Sequence, residues 1–314
     1  MRSALSLSPS YYEALKRLTL ELAGVNLGSD HAFLVETRLS TLARNEGYES
    51  LNDMIEELFK TGQSRLAVQV VSRLLERDTH FYTDPGSFDQ LRDIVVPRLH
   101  ESQPSKKLRI LSFGCASGQE VYCIAMVLDK AKKMFPKAKF DITGVDYPSQ
   151  SLERAQQGIY THFEVQRGLP IRDLVNYFEP HKEDWKVKKS LRDKVKFEET
   201  HLLSNLDPLG QFDIVIFRNN LPHYSSPAQV RVLRGLAALV KPHGCLMLAT
   251  DETLNSINYG FDPLEGTTNL FIKREEKVEE VIDPSIKQPN GRTTFEKSKR
   301  IIKDMANRPK KSAS

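Results

Sequence analysis

The sequence has little of what marks a membrane-spanning, secreted or disulfide-rich protein. No apolar run among the 314 residues approaches the ~20 needed to cross a bilayer. The N-terminal segment, residues 1–7, is too short and becomes polar too soon to be a signal peptide. The three cysteines include no CxxC pair, and their odd number gives no disulfide framework. These absences favour a soluble protein of a reducing cytoplasm.

Positive charge is scarce on most of the chain and concentrated near its end. The net charge is +4, but residues 284–314 hold nine lysines and arginines against two acids, which is +7 there and leaves −3 elsewhere. A nucleic-acid enzyme is expected to carry its positive field on the folded body, so we expect no nucleic-acid partner. Residues 276–314 are charged and poorly patterned, which predicts a disordered tail.

Hydrophobic periodicity divides the chain into two domains, as its length also suggests. Residues 1–76 show apolar residues at helical spacing, with Gly24 as a helix end and Ser50 as a helix cap, and predict a small all-helical domain. Proline and glycine interrupt the pattern in residues 77–90, which we interpret as a linker. The second domain is predicted to occupy residues 91–275.

The second domain alternates apolar strands with helices. Continuous apolar strands that alternate with helices are typical of a parallel sheet covered on both faces. Residues 159–200 break this rhythm and predict a small inserted β-subdomain. The predicted strands are 108–113, 139–146, 212–217 and 245–250, and the predicted helices between them are 120–135, 149–155 and 227–240.

Three features fall at the predicted carboxyl ends of these strands, where doubly wound sheets bind ligands. They are the small-residue turn from Gly114 to Gly118, the carboxylate of Asp146, and the polar run "FRNNLPHY" after strand 212–217. Glycines let a ligand approach the backbone closely. An ordinary strand-to-helix turn, in which the glycines only relieve crowding, explains the same residues equally well.

The turn does not fit the common phosphate-binding loops. It reads GxxxG without a third glycine, and Asp146 lies 28 residues after Gly118, beyond the ~20 of a dinucleotide site. No Gly-Lys-Ser/Thr follows it, so it is not a P-loop. A nucleoside without phosphates, such as S-adenosylmethionine, fits better.

Seven motifs in a fixed order carry a family resemblance. They are "THFYT" (79–83), "GCASGQEVYC" (114–123), "VDYPSQSLERAQQGIY" (145–160), "RGLPIRDLVNYF" (167–178), "FEETHLL" (197–203), "FDIVIFRNNLPHY" (212–224) and "LVKPHGCLMLATDETL" (239–254). In this order they resemble the chemotaxis receptor glutamate methyltransferases, the CheR-type family, over roughly residues 10–275. The resemblance implies a helical N-terminal domain followed by a Rossmann-like S-adenosylmethionine-dependent methyltransferase domain, with 159–200 as its β-subdomain.

The resemblance also implies a reaction and its partners. Such enzymes transfer the methyl group of S-adenosylmethionine to receptor glutamates and leave S-adenosylhomocysteine. The cytoplasmic helices of chemoreceptors are the implied partners, with Arg38 and Arg44 as candidate contacts, and we expect a monomer. The loop "EPHKEDWKV" lacks the glycine pair of members that grip a receptor tail peptide, which predicts weak or absent binding of such a peptide.

Matched positions imply the site residues, and no metal is expected among them. Glu120 would meet the amino acid end of the cofactor, Asp146 the ribose and Leu202 the adenine. Alternatively, Glu120 is a first-turn acid stabilised by the helix dipole and Arg218 a buried ion-pair partner. The implied cofactor contacts are Arg77, Thr79, Gly114, Ala116, Gly118, Glu120, Asp146, His201, Leu202, Arg218 and Asn219, and the implied catalytic positions are Thr83 and His223.

The departures from the family pattern cluster at this implied site. Thr83 replaces an arginine, His223 a tyrosine, His201 an asparagine and Arg77 an asparagine. Losing an arginine beside the cofactor carboxylate removes a contact worth about 1.5–3 kcal/mol. Arg77 is a candidate for the missing charge, and His223 for a polar donor. Two hypotheses follow: a working but divergent protein-glutamate methyltransferase, which we favour, or a non-catalytic homologue that senses S-adenosylmethionine or docks to proteins.

Overall fold

The computed structural model describes residues 7–28, 31–75, 79–102, 107–147, 150–254 and 259–275. Arg77, the predicted cap at residue 149 and the predicted disordered tail at 276–314 lie outside these residues. The chain forms two compact units. Of the described residues, the first unit comprises those up to 75 together with 223–229, and the second comprises those from 79 to 222 and from 230 to 275.

The first unit is helical, as its sequence predicts. Gly24 ends the first helix at φ +71° and donates its N–H to the Leu20 carbonyl at 2.9 Å. Ser50 caps the third helix by accepting the Asp53 N–H at 3.1 Å. The helices are α1 Pro9–Ala23, α2 Ala32–Asn45, α3 Leu51–Thr61 and α4 Ser64–Leu75, and their buried faces are mainly leucine, valine and alanine.

The second unit is built on two sheets. Its helices are α5 Pro85–Gln90, α6 Val96–Ser102, α7 Gln119–Ala131, α8 Gln150–Gln157, α9 His162–Gln166, α10 Ile171–Tyr177, α11 Lys189–Arg192 and α12 Ser226–Leu239, the last of which begins in the first unit. A π-helical turn, Leu91–Val95, joins α5 to α6. The strands are β1 Lys107–Phe113, β2 Lys139–Asp146, β3 Ile159–Tyr160, β4 Phe178–His181, β5 Asp184–Val187, β6 Val195–Glu199, β7 Phe212–Ile216, β8 Val240–Met247, β9 Phe261–Pro263 and β10 Leu270–Lys273.

The larger sheet has the order β6-β2-β1-β7-β8-β10-β9 over the described residues. Its first five strands are parallel, and β10 and β9 extend it with antiparallel pairs. The predicted α/β class is therefore confirmed, with an antiparallel edge that the sequence did not indicate. Strand β8 begins at Val240, five residues before the predicted start, and α7 ends at Ala131 instead of 135.

The smaller sheet, of order β3-β5-β4, lies within the predicted insertion. It ends at Val187, whereas β6, which the sequence assigns to the same insertion of 159–200, pairs with β2 in the larger sheet. The core of the insertion includes Phe81, whose ring lies edge-on to Tyr160 at 5.1 Å and to Phe178 at 5.6 Å. The segment predicted as a linker is thus packed into the second unit.

Candidate cofactor site

The carboxyl ends of the central strands lie side by side and define the site. Phe113 of β1 pairs with Val145 of β2, and Ser112 of β1 with Ile216 of β7. The end of β6 joins them because its last residue, Glu199, pairs with Asp146. We call the last residues of these four strands, the loops that follow them and the first turn of α7 the rim. The rim brings together most of the residues predicted from the sequence: Gly114, Ala116, Gly118, Glu120, Asp146, His201, Leu202, Arg218 and Asn219.

The glycine turn after β1 packs closely against neighbouring residues of the same unit. The N–H of Gly114 donates to the Val145 carbonyl at 2.7 Å, which ties the turn to the end of β2. A Cβ at Gly114 would lie 2.6 Å from Asn220 Nδ2, and one at Gly118 2.7 Å from the Cβ of Ala155. Both glycines also have positive φ, at +79° and +88°. Crowding and backbone conformation therefore account for both glycines, as expected of an ordinary strand-to-helix turn.

Asp146 links the end of β2 to the glycine turn. Its Oδ2 accepts the N–H of Ala116, a residue at φ +47°, and its Oδ1 accepts the N–H of Tyr147 at 2.7 Å. The two bonds fix the plane of the carboxylate at the rim. Burial, and then the charges of Asp146 and Glu120, raise the pKa of the intervening Cys115 thiol, so both carboxylates act on the same small volume.

Glu120 stands in the first turn of α7 and is the centre of an ion-pair cluster. It accepts hydrogen bonds from Ser112 Oγ at 2.8 Å and from Arg218 Nη1 at 3.1 Å. The Arg218 side chain is 1% exposed and also contacts Asp84 Oδ2 at 3.4 Å and the Thr83 carbonyl at 2.7 Å. Arg218 is thus a buried ion-pair partner, which was the alternative to a direct cofactor contact. It joins the loop after β7 to α7 and to the segment that precedes α5.

The segment that contains Thr79 and Thr83 precedes α5 in the second unit. Thr83 Oγ1 donates to the His80 carbonyl at 3.0 Å, so the hydroxyl is engaged within its own segment. Tyr82, at φ +51°, donates its hydroxyl to Asp173 of the insertion at 2.6 Å. Thr79 is partly exposed at the start of the described segment.

The loop after β6 contributes a buried aromatic pair. His201 is 8% exposed, and its Nδ1 accepts the Leu203 N–H at 3.3 Å, as expected for a structural histidine. Its ring lies edge-on to Tyr147, with 5.2 Å between the ring centroids. Burial raises the pKa of Tyr147. Leu202 is buried beside them, which gives this part of the rim an apolar character. Tyr147 was not predicted as a site residue, because it carries no motif signal beyond its place after Asp146.

The loop after β7 presents Asn219 and conceals a residue that sequence analysis missed. Asn219 is exposed and has φ +56°. Beneath the loop lies the carboxylate of Glu252, which is 5% exposed and accepts the N–H of Asn219 at 3.1 Å. The only signal for Glu252 in the sequence was its place in the last of the seven motifs.

The remaining candidates belong to the first unit. His223 is exposed, and its carbonyl accepts the Asn26 N–H at 3.0 Å. Arg38 donates to the Leu74 carbonyl at 3.2 Å and is half-buried on α2, whereas Arg44 is exposed. The catalytic role of His223 and the receptor contacts of both arginines stay predictions.

The described ranges contain neither a metal-binding cluster nor a membrane-spanning helix. No cluster of three or more histidine, cysteine, aspartate or glutamate side chains there is arranged to hold a metal ion. No helix in the same ranges combines the length and apolar character that a bilayer crossing requires.

Comparison with known proteins agrees with this geometry. The family model "CheR methyltransferase, SAM binding domain" matches residues 77–270. Chemotaxis protein methyltransferase Cher2 of Pseudomonas putida is 32% identical over 77% of this chain and 90% of its own length. Chemotaxis protein methyltransferase 1 of Pseudomonas aeruginosa is 31% identical over 78% of this chain and 91% of its own length. Chemotaxis protein methyltransferase 1 of Vibrio cholerae is 28% identical over 86% of this chain and 99% of its own length. The chain belongs to the CheR methyltransferase family, and its cofactor is S-adenosylmethionine.

Proposed function

We propose that this protein transfers the methyl group of S-adenosylmethionine to glutamate side chains of chemotaxis receptors. The observation that carries the proposal is the pair of fixed carboxylates at the rim. Asp146 is oriented by two backbone N–H groups, and Glu120 by Ser112 and Arg218. The names of the relatives, which are chemotaxis methyltransferases, support the choice of substrate class.

The residues of the rim fit the chemical groups of this cofactor. The carboxylate of Asp146 suits the hydroxyls of a ribose, and the apolar surface at Leu202 and Tyr147 suits an adenine. Glu120 suits a cationic amine. Arg218 Nε is buried and has no hydrogen-bond partner among the described residues, which leaves a donor for the carboxylate of the amino acid end.

The protein has little acid–base work to do in this reaction. When bound, the cofactor supplies an electrophilic methyl group, whose bond to sulfur breaks as a glutamate oxygen bonds to the carbon, leaving a neutral thioether. A glutamate with an ordinary pKa of ~4.3 is ionised at neutral pH, so no residue needs to act as a general base. Asp146 and Glu120 would hold the donor in line with the acceptor, which can supply most of the rate enhancement. A dry rim strengthens the attraction between the acceptor carboxylate and the sulfonium.

A second candidate function is cofactor sensing or protein docking without methyl transfer. Thr83 favours it, because a threonine whose hydroxyl is bound to the His80 carbonyl stands where the family has an arginine. A charge-assisted contact of the kind lost here is worth about 1.5–3 kcal/mol. The two candidates differ in whether a methyl ester forms.

Transfer of a radioactive methyl group from S-adenosylmethionine to receptor-containing membranes tests the proposal. Glutamyl methyl esters release methanol in base, so we expect base-labile radioactivity on the receptor. Asp146→Asn should reduce the initial rate at limiting cofactor about tenfold to hundredfold, since it removes one or more charge-assisted bonds. Asp141→Asn, at the opposite end of the same strand, is the matched control and should retain the rate. Cofactor binding by the wild type without any base-labile label would overturn the enzyme and favour the second candidate.

A further inference from the structure

The buried carboxylate of Glu252 receives an unusual number of backbone N–H groups. Its Oε1 accepts from Asn220 and Leu221, each at 3.0 Å. Its Oε2 accepts from Asn219 at 3.1 Å and from Ala249 at 2.9 Å. Glu252 is 5% exposed, so these four bonds form away from bulk water, where charge-assisted bonds are strongest.

Three of the four donors come from consecutive residues of the rim. The N–H groups of Asn219, Asn220 and Leu221 converge because Asn219 has φ +56° and turns the backbone. Consecutive N–H groups in such a turn form a concavity that binds anions. In this protein the anion is supplied by the chain itself, and it is the carboxylate of Glu252.

The concavity lies directly beside residues that face the cofactor site. Arg218, which pairs with Glu120, immediately precedes it, and its carbonyl accepts Asn220 Nδ2 at 2.7 Å. The Asn220 side chain also lies against Gly114 of the glycine turn, where an added Cβ would meet it. A non-glycine residue at positive φ persists only when its surroundings hold it there, and Glu252 holds Asn219.

We propose that Glu252 is a positioning residue for cofactor binding. By filling the concavity of residues 219–221, its carboxylate fixes Arg218 and Asn219 in the conformation that receives S-adenosylmethionine. The inference rests on the cofactor half of the proposed function and is independent of the methyl acceptor. Glu252, in the last of the seven sequence motifs, would thus act on cofactor binding without touching the cofactor itself.

Glu252→Ala combined with acetate tests this role. The substitution removes a methylene group and the carboxylate, and acetate carries the same heavy atoms. We expect the dissociation constant of S-adenosylhomocysteine, measured by calorimetry, to rise about tenfold to hundredfold, by analogy with the loss of outer-shell partners at metal sites. Acetate should restore most of the affinity of this variant, whereas chloride at equal ionic strength should not.

Asp213→Asn is the matched control. Asp213 is also a buried residue whose carboxylate accepts a backbone N–H, from Arg109 at 2.8 Å, and it pairs with Lys241 at 2.7 Å. It lies near the start of β7, at the opposite end of the strand from the rim. Its loss should lower stability and leave the dissociation constant unchanged, with or without acetate. Unchanged affinity in Glu252→Ala, or weakened affinity that acetate does not restore, would overturn the positioning role.

Two further measurements keep the outcome decisive. Glu252→Gln preserves the side-chain volume but turns an NH₂ group toward backbone N–H donors, so it must also weaken binding beyond Asp213→Asn. If Glu252→Ala does not fold, equal affinities of Glu252→Gln and Asp213→Asn would overturn the inference. Wild-type protein that fails to bind S-adenosylhomocysteine would instead contradict the cofactor assignment itself.

Discussion

Replacing Arg218 with methionine tests whether a buried cation holds the rim together. The side chain is 1% exposed and joins three segments, through Glu120 Oε2 at 3.1 Å, the Thr83 carbonyl at 2.7 Å and Asp84 Oδ2 at 3.4 Å. Methionine keeps much of the apolar length but removes the cation. Glu120 and Asp84 then both lose the cation with which they pair.

The expected loss follows from burial. Removing one partner of a buried ion pair typically destabilises a protein by about 3–5 kcal/mol. The Glu120 side chain is 19% exposed and that of Asp84 31%, so water relieves part of the penalty, and we expect the free energy of unfolding to fall by about 3 kcal/mol. Adding Glu120→Gln should recover about 1–2 kcal/mol, because residues in one ion-pair network are coupled.

Urea unfolding followed by the fluorescence of Trp185 is the suitable assay. Trp185 is the only tryptophan of the sequence and lies in the second unit, so its signal follows the unit that contains Arg218. Arg92→Met is the control, because Arg92 pairs with Asp89 and Asp93 on the surface, where such pairs contribute about 0–1 kcal/mol. Equal losses in the two variants, or strict additivity with Glu120→Gln, would refute the reasoning.

Two further predictions concern crowding and burial. Gly118→Ala, at φ +88°, places a methyl group 2.7 Å from the Ala155 Cβ and should lower the free energy of unfolding by about 3 kcal/mol. Gly266→Ala, at φ +77° but in open space, should lower it by only about 1–2 kcal/mol. Equal losses in the two variants would contradict the crowding at Gly118. Burial raises the pKa of the Cys245 thiol to about 12, so stability should fall as pH rises above about 9, where the unfolded thiol ionises. Urea midpoints at pH 8 and 10 should show a smaller decline for Cys245→Ala, and parallel declines would count against the effect.

The sequence predicted the parts of the fold whose signals are local. Strand β2 has the predicted bounds, 139–146, because its continuously buried residues, 142–145, are followed directly by a charged residue, Asp146. The start of β8 was missed because "KPHG" at 241–244 reads as a loop, and the pairing of β7 with β8 is irregular there. Strand β6 was assigned to the insertion because its alternation is that of an edge strand, and only the tertiary fold places it beside β2.

The candidate site shows the same division. The position of Asp146 and the glycine turn at the rim could be predicted because strand ends and glycines are visible in the sequence. Glu252 was not found, because its role depends on backbone N–H groups 31–33 residues away, and backbone donors leave no trace in residue identity. The engagement of Arg218 by Asp84 and Glu120 likewise joins residues about a hundred or more positions apart.

Calorimetric titration with S-adenosylhomocysteine tests the central claim most directly. We expect binding at one site per chain, with an affinity that Asp146→Asn lowers about tenfold to hundredfold by removing charge-assisted bonds and that Asp141→Asn leaves unchanged. Absence of binding to the folded wild-type protein, or equal affinities of the two variants, would contradict the claim that the rim of this sheet holds the cofactor.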